Sequence, residues 1–437
     1  MSSGDESRLP SAAKAEPPKK TEPRKDQVPT EPVGTAQQAE AKKRPTGIKW
    51  SFPDVADIMP GITSRRHALK YFVSRTMRVQ GLNCPQDAVL VMIEKNGSAT
   101  VGIKVPDDNQ IAQFQQTLAR LQQWYAACVD FRSAIEHKLD LTNLCFCWGG
   151  ALTAPAIVFL RNPVNSKEHW SQFDSTTGYA WWAAVLWAKL AVCVSEKMLP
   201  SRHRDIDRIA HSAVDLTPLA DEGWPGPLRD AVETAEAGWE DHLSKQFGVF
   251  VQKLIDLSGF KPIEGKRRYT IFLCDQTETR DPTYPPVKST IALFKEFKQN
   301  KDDAQGITRA VVRGDGWTHG FRPGVWWRGQ EFNVAVLPGH PSRMSYPGKD
   351  SQGQQRQQQF IKDTFATVFC AVYYIMTGKQ PIPADVKALD GVGAFKTCVS
   401  KTTGKVDVGD WIPAARNKLD EAELAMRRSQ PPTPTDG

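Results

Sequence analysis

Residues 179–194 read YAWWAAVLWAKLAVCV, the most apolar stretch of the chain, and the rest of the fold must be built around them. The stretch is shorter than the roughly 20 residues that a helix needs to span a bilayer, and it contains the charged residue Lys189. We therefore predict that 179–198 form a helix buried in a protein core and not a membrane anchor.

Apolar side chains spaced three or four residues apart predict further helices on both sides of this segment. Between 108 and 138, Ile111, Phe114 and Leu118 begin such a pattern. The sequence FIKDTFATVFCAVYYIM predicts another long helix within 354–377, behind a polar, Gln-rich first turn. The remaining predicted helices cover 203–214, 227–257, 286–299 and 412–428.

One predicted helix is markedly basic. Ser64 can cap the sequence SRRHALKYFVSRTMRVQ, in which Leu69 and Phe72 belong to an apolar face and the arginines to the opposite face. A basic helix face is compatible with simple solvation and with contact to a polyanion, and the sequence leaves both interpretations open.

Two regions have the composition of strands. Residues 88–105 contain two apolar runs joined by Asn96-Gly97, a dipeptide that favours a tight hairpin turn. Between 262 and 350, the runs 269–274, 308–314 and 325–337 stand among Pro- and Gly-rich turns and also predict strands.

These patterns predict a mainly α fold with a minor β component (α+β). The helical body comprises 48–261 and 351–428, and 262–350 are predicted to form a smaller strand-containing subdomain between them. The alternative is that these strands pack into the body as part of an ordinary α+β core.

The first 47 residues differ from the body. Residues 1–50 contain seven prolines, ten Lys or Arg and seven Asp or Glu, with few large apolar side chains, so they predict a disordered arm, and 429–437 predict a short disordered tail. The arm is either a solvated linker or a segment that contacts nucleic acid. Its candidate RNA-binding residues are clustered basic side chains: Lys19, Lys20, Arg24, Lys25, Lys42, Lys43 and Arg44.

Overall composition gives broad limits. The chain has 437 residues, 40% of them hydrophobic, and a formal net charge of +7, which is typical of a globular protein that tolerates anionic partners. Eight cysteines scattered through apolar surroundings favour reduced thiols, and the start MSSGDESRLP lacks the features of a secretory signal, so we expect a cytosolic protein. The close pair Cys145 and Cys147 is interpreted as core packing, with a metal site as the alternative.

The common catalytic motifs are missing from this sequence. It contains no GxxxxGK[ST], GxSxG or HExxH motif and no paired CxxC, so we predict no enzymatic activity, no catalytic residues, no cofactor and no metal. His203 and His211, with Asp205, Asp207 and Asp215, are compatible with a metal site but also with ion pairs along a solvated helix.

Two further groups of residues also have alternative interpretations. Gly314-Asp315-Gly316 predicts a turn and lacks the second acidic motif that a polymerase metal site would need. His319 and His340, with Trp317, Trp326 and Trp327, predict either a polar pocket or, as the favoured interpretation, a packed aromatic cluster.

The layout of the chain is similar to that of a known family. A length near 430, a Pro- and Lys-rich arm, an α-rich body and a Pro/Thr-containing tail resemble the coat proteins of partitiviruses, most closely the gammapartitiviruses of fungi. The sequence GWPGPLRDA at 223–231 resembles a Pro-Gly-Pro-Leu element of these proteins. The resemblance covers the whole chain diffusely.

This resemblance implies a capsid subunit that dimerises and assembles into a T=1 icosahedral shell around viral double-stranded RNA. It further implies a helical shell domain with a protruding arch, here 262–350, and an arm that faces the interior. The implied partners are the protein itself, the packaged RNA and the viral RNA-dependent RNA polymerase, with no membrane; the implied location is the virion and the host cytoplasm. The alternative interpretation is a cytosolic RNA-binding protein with a disordered basic arm.

Overall fold

The computed structural model describes ten continuous ranges and nine separate helical positions between 120 and 135. The ranges are 47–52, 90–95, 98–104, 153–160, 176–215, 238–258, 269–274, 296–346, 348–400 and 407–429. Several predicted features lie outside these ranges: the arm residues, the predicted basic helix after Ser64, the pair Cys145 and Cys147, and the sequence at 223–231.

A three-stranded antiparallel sheet is formed by β1 (Gly47–Phe52), β2 (Leu90–Lys95) and β3 (Ser98–Lys104). The strand order is β1-β3-β2, so the hairpin partners β2 and β3 are neighbours. Lys95 pairs with Ser98, which leaves two residues for the connection. The hairpin predicted for 88–105 is therefore confirmed in its strand pairing.

A second, mixed sheet has five strands: β4 (Ala156–Leu160), β5 (Ala213–Asp215), β6 (Thr270–Cys274), β7 (Phe321–Trp327) and β8 (Gln330–Leu337). The order is β5-β4-β6-β8-β7, in which the first four strands are parallel and β7 pairs antiparallel with β8. Strands β4 and β6 are completely buried, as expected for strands of a parallel sheet with both faces covered.

Helices account for 59% of the described residues, so the fold is mainly α with a minor β component, as predicted. The described ranges also contain four short 3₁₀ helices. The α-helices are α1 (Thr176–Glu196), α2 (Arg204–Ile209), α3 (Trp239–Leu257), α4 (Arg309–Val312), α5 (Ser351–Thr377), α6 (Ala388–Gly391), α7 (Ala394–Cys398) and α8 (Trp411–Ser429).

Helices α1 and α5 pack on one face of the five-stranded sheet, and α8 packs against α1. Trp181 of α1 lies edge-on to Phe272 of β6, with ring centroids 5.1 Å apart. Helix α8 is held to α5 by an edge-on contact between Trp411 and Phe365. On the sheet's other face, Phe159 of β4 contacts Phe247 of α3 at 5.9 Å. The sheet therefore lies between two helical layers, and most of its apolar area is removed from water.

Helices α1 and α5 have the length and apolar composition of membrane-spanning segments. In the fold, 78% and 72% of their most apolar windows are buried inside the protein. The prediction of a buried core helix at 179–198 is thus confirmed, although the helix spans Thr176–Glu196.

Helix α5 is delimited by strong local signals. The Gly353 amide donates to the Asp350 carboxylate at 2.6 Å, which caps the first turn, and Gly378 ends the helix with a φ of 71°. These caps explain why α5 begins three residues before the predicted 354.

The prediction of a separate subdomain at 262–350 is corrected by the sheet. Strand β6 pairs with β4 on one side and β8 on the other, so strands from this segment share backbone hydrogen bonds with 156–160. The described strands of 262–350 therefore belong to the core of the body, which was the alternative interpretation.

Three local predictions are also wrong. Residues 308–314 contain α4 instead of a strand, because the Thr308 side chain accepts from the Val311 amide and caps a helical turn. The predicted strand at 325–337 is interrupted between β7 and β8 at Arg328 and Gly329, which both have positive φ. The predicted helix at 203–214 ends with α2 at Ile209, and β5 follows.

The end of the helix predicted at 286–299 is not helical. Lys298 instead exchanges two backbone hydrogen bonds of 2.8 Å with Trp326 of β7. Residues 286–295 lie outside the described ranges.

Candidate functional site

A pocket of about 190 Å³ lies at the carboxyl end of β8, between the turn that precedes β7 and helix α5. In open sheets of parallel strands, ligands often bind at the carboxyl ends of the strands. The polar residues that line the pocket are Arg313, His319, Asp363 and Thr367. Its apolar lining includes Val312, Val336, Leu337 and Pro338.

His319 lies in a tight turn that closes on itself. The Thr318 amide donates to the Phe321 carbonyl at 2.8 Å, and the Phe321 amide donates to the Thr318 carbonyl at 2.9 Å. His319 and Gly320 between them both have positive φ, at 47° and 77°. A residue with a Cβ is strained in this conformation, and such strain is concentrated at functional sites.

The surroundings of position 320 leave no room for a side chain, so this position requires glycine. A Cβ at this position would lie 2.6 Å from the carbonyl oxygen of Val336, closer than real Cβ contacts. The Val336 amide in turn donates to the Gly320 carbonyl at 2.8 Å. The turn is therefore pressed against β8, and this contact fixes the position of His319 at the pocket.

Thr367 connects the turn to helix α5. Its hydroxyl lies 2.7 Å from the His319 carbonyl oxygen and 2.9 Å from the Asp363 carbonyl oxygen, one helical turn earlier. Thr367 is buried, so this link is shielded from water. The result is that His319 and Asp363 are held on adjoining parts of the pocket wall.

Asp363 is partly engaged within its helix. Its Oδ1 accepts a 2.8 Å hydrogen bond from Gln359 Nε2. Among the residues that the structure describes, its Oδ2, the guanidinium of Arg313 and the imidazole of His319 have no hydrogen-bond or ion-pair partner. A polar ligand can therefore donate a hydrogen bond to Asp363 Oδ2 and interact with the side chains of Arg313 and His319.

The group of His319, His340 and three tryptophans separates into different environments. Trp327 is fully buried in an aromatic cluster, stacked on Phe297 at 4.9 Å. Trp326 lies on the edge strand, with the Lys301 ammonium 5.8 Å from its ring centroid. His340 caps a 3₁₀ helix, where its Nδ1 accepts from the Ser342 amide. The aromatic cluster is found at Trp327 and the polar pocket at His319, so each interpretation holds for part of the group.

The acidic and histidine cluster near 203–215 is held together by tertiary contacts. Both carboxylate oxygens of Asp207 accept from Lys189 Nζ of α1, at 2.8 and 2.9 Å. His211 lies edge-on to Trp182, 4.8 Å away. In the described part of the chain no three His, Cys, Asp or Glu side chains come together as a metal site would require. The ion-pair interpretation fits Asp207, but its partner comes from another helix and not from one turn away.

Tryptophans mainly stabilise the interior of the subunit. Trp187, Trp327 and Trp411 are among the largest fully buried side chains. These three side chains are covered by the fold itself, so they are not available for contacts with another chain. Gly314-Asp315-Gly316 forms a turn, as predicted, with a φ of 83° at Gly316.

The seven predicted RNA-binding residues of the arm lie outside the described ranges. Sequence reasoning missed Arg313, Asp363 and Thr367. The available signal was the four-residue spacing of Asp363 and Thr367, because residues four apart in a helix share one face.

No protein-family model matches this chain, and no curated protein and no solved structure is significantly similar to it.

Proposed function

We propose that this chain is a coat protein that dimerises and self-assembles into a T=1 icosahedral shell packaging double-stranded RNA. The observation that carries the proposal is the GWPGPLRDA sequence at 223–231, in a chain that also has a Pro-rich basic arm and a Pro/Thr-containing tail. A mainly helical fold agrees with what the resemblance to partitivirus coat proteins implies.

The charge of the arm supports the RNA-packaging part of the proposal. Nine Lys or Arg residues within 1–47 are diluted by seven acidic residues, so one arm binds phosphate weakly. Many copies that line one cavity would add these weak contacts together. The viral polymerase is a further proposed partner inside the particle, and the virion in the host cytoplasm is the proposed location.

Contacts between subunits must use residues outside the tryptophan core. In the described ranges, the most exposed large apolar side chains are Tyr346 and Ile382, at 62% and 58% exposure. Apolar side chains of this size can contribute to an interface core once a partner covers them. They are the first residues to examine in an assembled particle.

Electron microscopy of negatively stained full-length protein tests the proposal. Uniform isometric particles that protect RNA from nuclease are expected. A dispersed protein that binds RNA without forming particles would contradict the proposal and support the alternative, an RNA-binding protein with a basic arm.

The role of the arm is tested separately by a charge-neutralised variant. Changing Lys19, Lys20, Arg24, Lys25, Lys42, Lys43 and Arg44 to Gln should reduce the RNA content of the particles and the salt dependence of RNA binding. The control neutralises seven exposed residues of the body and so makes the same change in net charge. These are Lys245, Lys349, Lys362, Lys387, Lys396, Lys418 and Arg428. Equal losses of RNA in both variants would mean that the arm has no special role.

A further inference from the structure

We propose that the pocket formed by Arg313, His319, Asp363 and Thr367 binds an unpaired guanine nucleotide. The assignment of RNA as the source of this nucleotide rests on the proposed function. The nucleotide chemistry itself rests on the size, charge and rigidity of the pocket.

The size of the pocket limits the ligand to one ring-sized group. Its volume of about 190 Å³ is below the roughly 300–1,000 Å³ of sites that enclose a drug-sized molecule. Arg313, His319 and Asp363 are all exposed, so the pocket opens to solvent and the rest of a longer ligand can continue outside it. One base of a nucleotide chain meets both conditions.

The charges of the pocket favour a ligand that has both an anionic group and hydrogen-bond donors. The guanidinium of Arg313 can pair with the anionic group, and the carboxylate of Asp363 can accept from the donors. A neutral ring that donates hydrogen bonds and carries an anionic group meets both conditions. Guanine donates from N1 and from its exocyclic amino group, both on the same edge, and its phosphate is anionic.

The available groups match this ligand. The free Oδ2 of Asp363 can accept from the donor edge of guanine, while the planar side chains of His319 and Arg313 can stack on the base or bind its phosphate. Proteins recognise single-stranded RNA by stacking bases on His, aromatic or Arg side chains and bonding to their Watson–Crick edges. A base in a duplex offers neither feature, so the ligand must be unpaired.

The pocket is also preorganised. Thr367 Oγ1 lies 2.7 Å from the His319 carbonyl oxygen, and the turn around His319 is closed by two backbone hydrogen bonds. His319 has a φ of 47°, which is strained for a residue with a Cβ and which glycine would adopt freely. A role for the imidazole in binding accounts for the histidine.

Equilibrium binding of GMP, AMP, CMP and UMP to the full-length protein tests the proposal. GMP should bind most tightly, and Asp363→Asn should weaken GMP binding by at least about tenfold, because it removes a charge-assisted hydrogen bond. Asp420→Asn, at an exposed carboxylate of α8, is the matched control. Equal binding of all four nucleotides, or unchanged binding by Asp363→Asn, would overturn the proposal.

His319→Gly is a second variant that keeps the turn, because glycine accepts positive φ. It should bind GMP more weakly while its thermal unfolding temperature is unchanged or raised. Tight GMP binding by His319→Gly would contradict a role for the imidazole.

Short RNAs separate the two sources of the nucleotide. A single-stranded oligouridine with one guanine should bind more tightly than the all-uridine strand and than a blunt duplex that contains guanine. Binding of GMP without preference for the guanine-containing strand would make a free nucleotide the ligand and overturn the RNA assignment. Particles that form without GMP binding would refute only the pocket, and GMP binding without particles would refute only the proposed coat function.

Discussion

The ammonium nitrogen of Lys189 lies 2.8 and 2.9 Å from the two carboxylate oxygens of Asp207. The Lys189 side chain is 4% exposed, whereas that of Asp207 is 41% exposed. The ion pair therefore joins α1 to α2, and its two partners differ in their exposure to water. The lysine depends more strongly on its partner, because water still reaches part of the carboxylate, although burial also raises the pKa of Asp207.

We predict unequal effects when each partner is removed. Asp207→Asn leaves a buried, uncompensated ammonium and should lower the free energy of unfolding by about 3–5 kcal/mol. Lys189→Met should cost less, since Met packs in an apolar site and the Asp207 side chain is 41% exposed. Urea denaturation measures both, with Asp205→Asn as the control on the same helix. A larger loss for Lys189→Met would contradict the asymmetry.

Two tryptophans of α1 provide a second comparison. Trp181 Nε1 donates to the Ile209 carbonyl at 3.3 Å, whereas the buried Trp187 Nε1 has no hydrogen-bond partner among the described residues. Changing either to Phe leaves a cavity, but only Trp181→Phe removes a hydrogen bond. We expect Trp181→Phe to be more destabilising by about 1 kcal/mol or more in denaturant unfolding. Equal losses would mean that the cavities, not the indole N–H groups, decide the outcome.

Glycines with positive φ should differ in their tolerance of alanine. Gly320 and Gly329 have φ of 77° and 87°, so both substitutions incur a backbone penalty of about 1–2 kcal/mol. Only Gly320 also has a backbone oxygen, that of Val336, 2.6 Å from an added Cβ, whereas nothing lies within 4 Å at Gly329. Gly320→Ala should therefore lower the unfolding midpoint more. A similar shift for both would show that β8 can move away from the turn.

Buried cysteines should resist alkylation in the native protein. Burial raises the pKa of Cys193 and of Cys370 from 9.0 to about 12. Both thiols therefore stay protonated, and unreactive, at mildly alkaline pH. Iodoacetamide treatment followed by peptide mass spectrometry should find them unmodified until urea unfolds the chain. Modification without unfolding would contradict this prediction.

These raised pKa values also make the stability of the folded protein depend on alkaline pH. Since the folded-state pKa lies above the unfolded value, the stability that these thiols contribute is complete below about pH 9 and is lost as the pH rises toward about 12. Cys193→Ala should therefore show a smaller alkaline loss of stability than the unmodified chain.

The ionisation of Glu196 should make the stability of the folded protein depend on pH in the acid range. Hydrogen bonds from Lys379 and Tyr373, at 2.7 and 2.9 Å, hold the pKa of the Glu196 carboxyl below its usual value of 4.5. A lowered folded-state pKa contributes stability above the unfolded value, and this stability is lost as the pH falls through the folded value. Glu196→Gln should thus unfold more easily at neutral pH, and the difference should shrink below about pH 4. A constant difference across that range would exclude this titration as the cause.

Much of the helical structure could be predicted from local sequence. Helices α1, α5 and α8 lie within a few residues of their predicted positions, because apolar spacing and capping residues act over short distances. The buried strand at 269–274 and the hairpin after 88 were also recognisable. The strand AIVFL at 156–160 was missed, since a short apolar run is equally compatible with a buried helix segment.

The candidate site could not be predicted in the same way. The sequence pointed to His319 because tryptophans lie near it in the chain. Arg313, in contrast, belongs to 308–314, which was predicted to be a strand. Asp363 comes from a helix more than forty residues later. Their common location depends on the Thr367 contact and on the pairing of β7 with β8.

The sequence by itself determined the mainly helical character of this chain, the burial of the stretch around Trp187 and the composition of the basic arm. These properties follow from side-chain type and spacing within a few turns of backbone. The tertiary structure alone decided that β6 lies between β4 and β8, that Asp207 is the partner of Lys189, and that a pocket forms at His319. Such relationships join residues far apart in the chain, and they arise from packing complementarity and backbone pairing that no local pattern encodes.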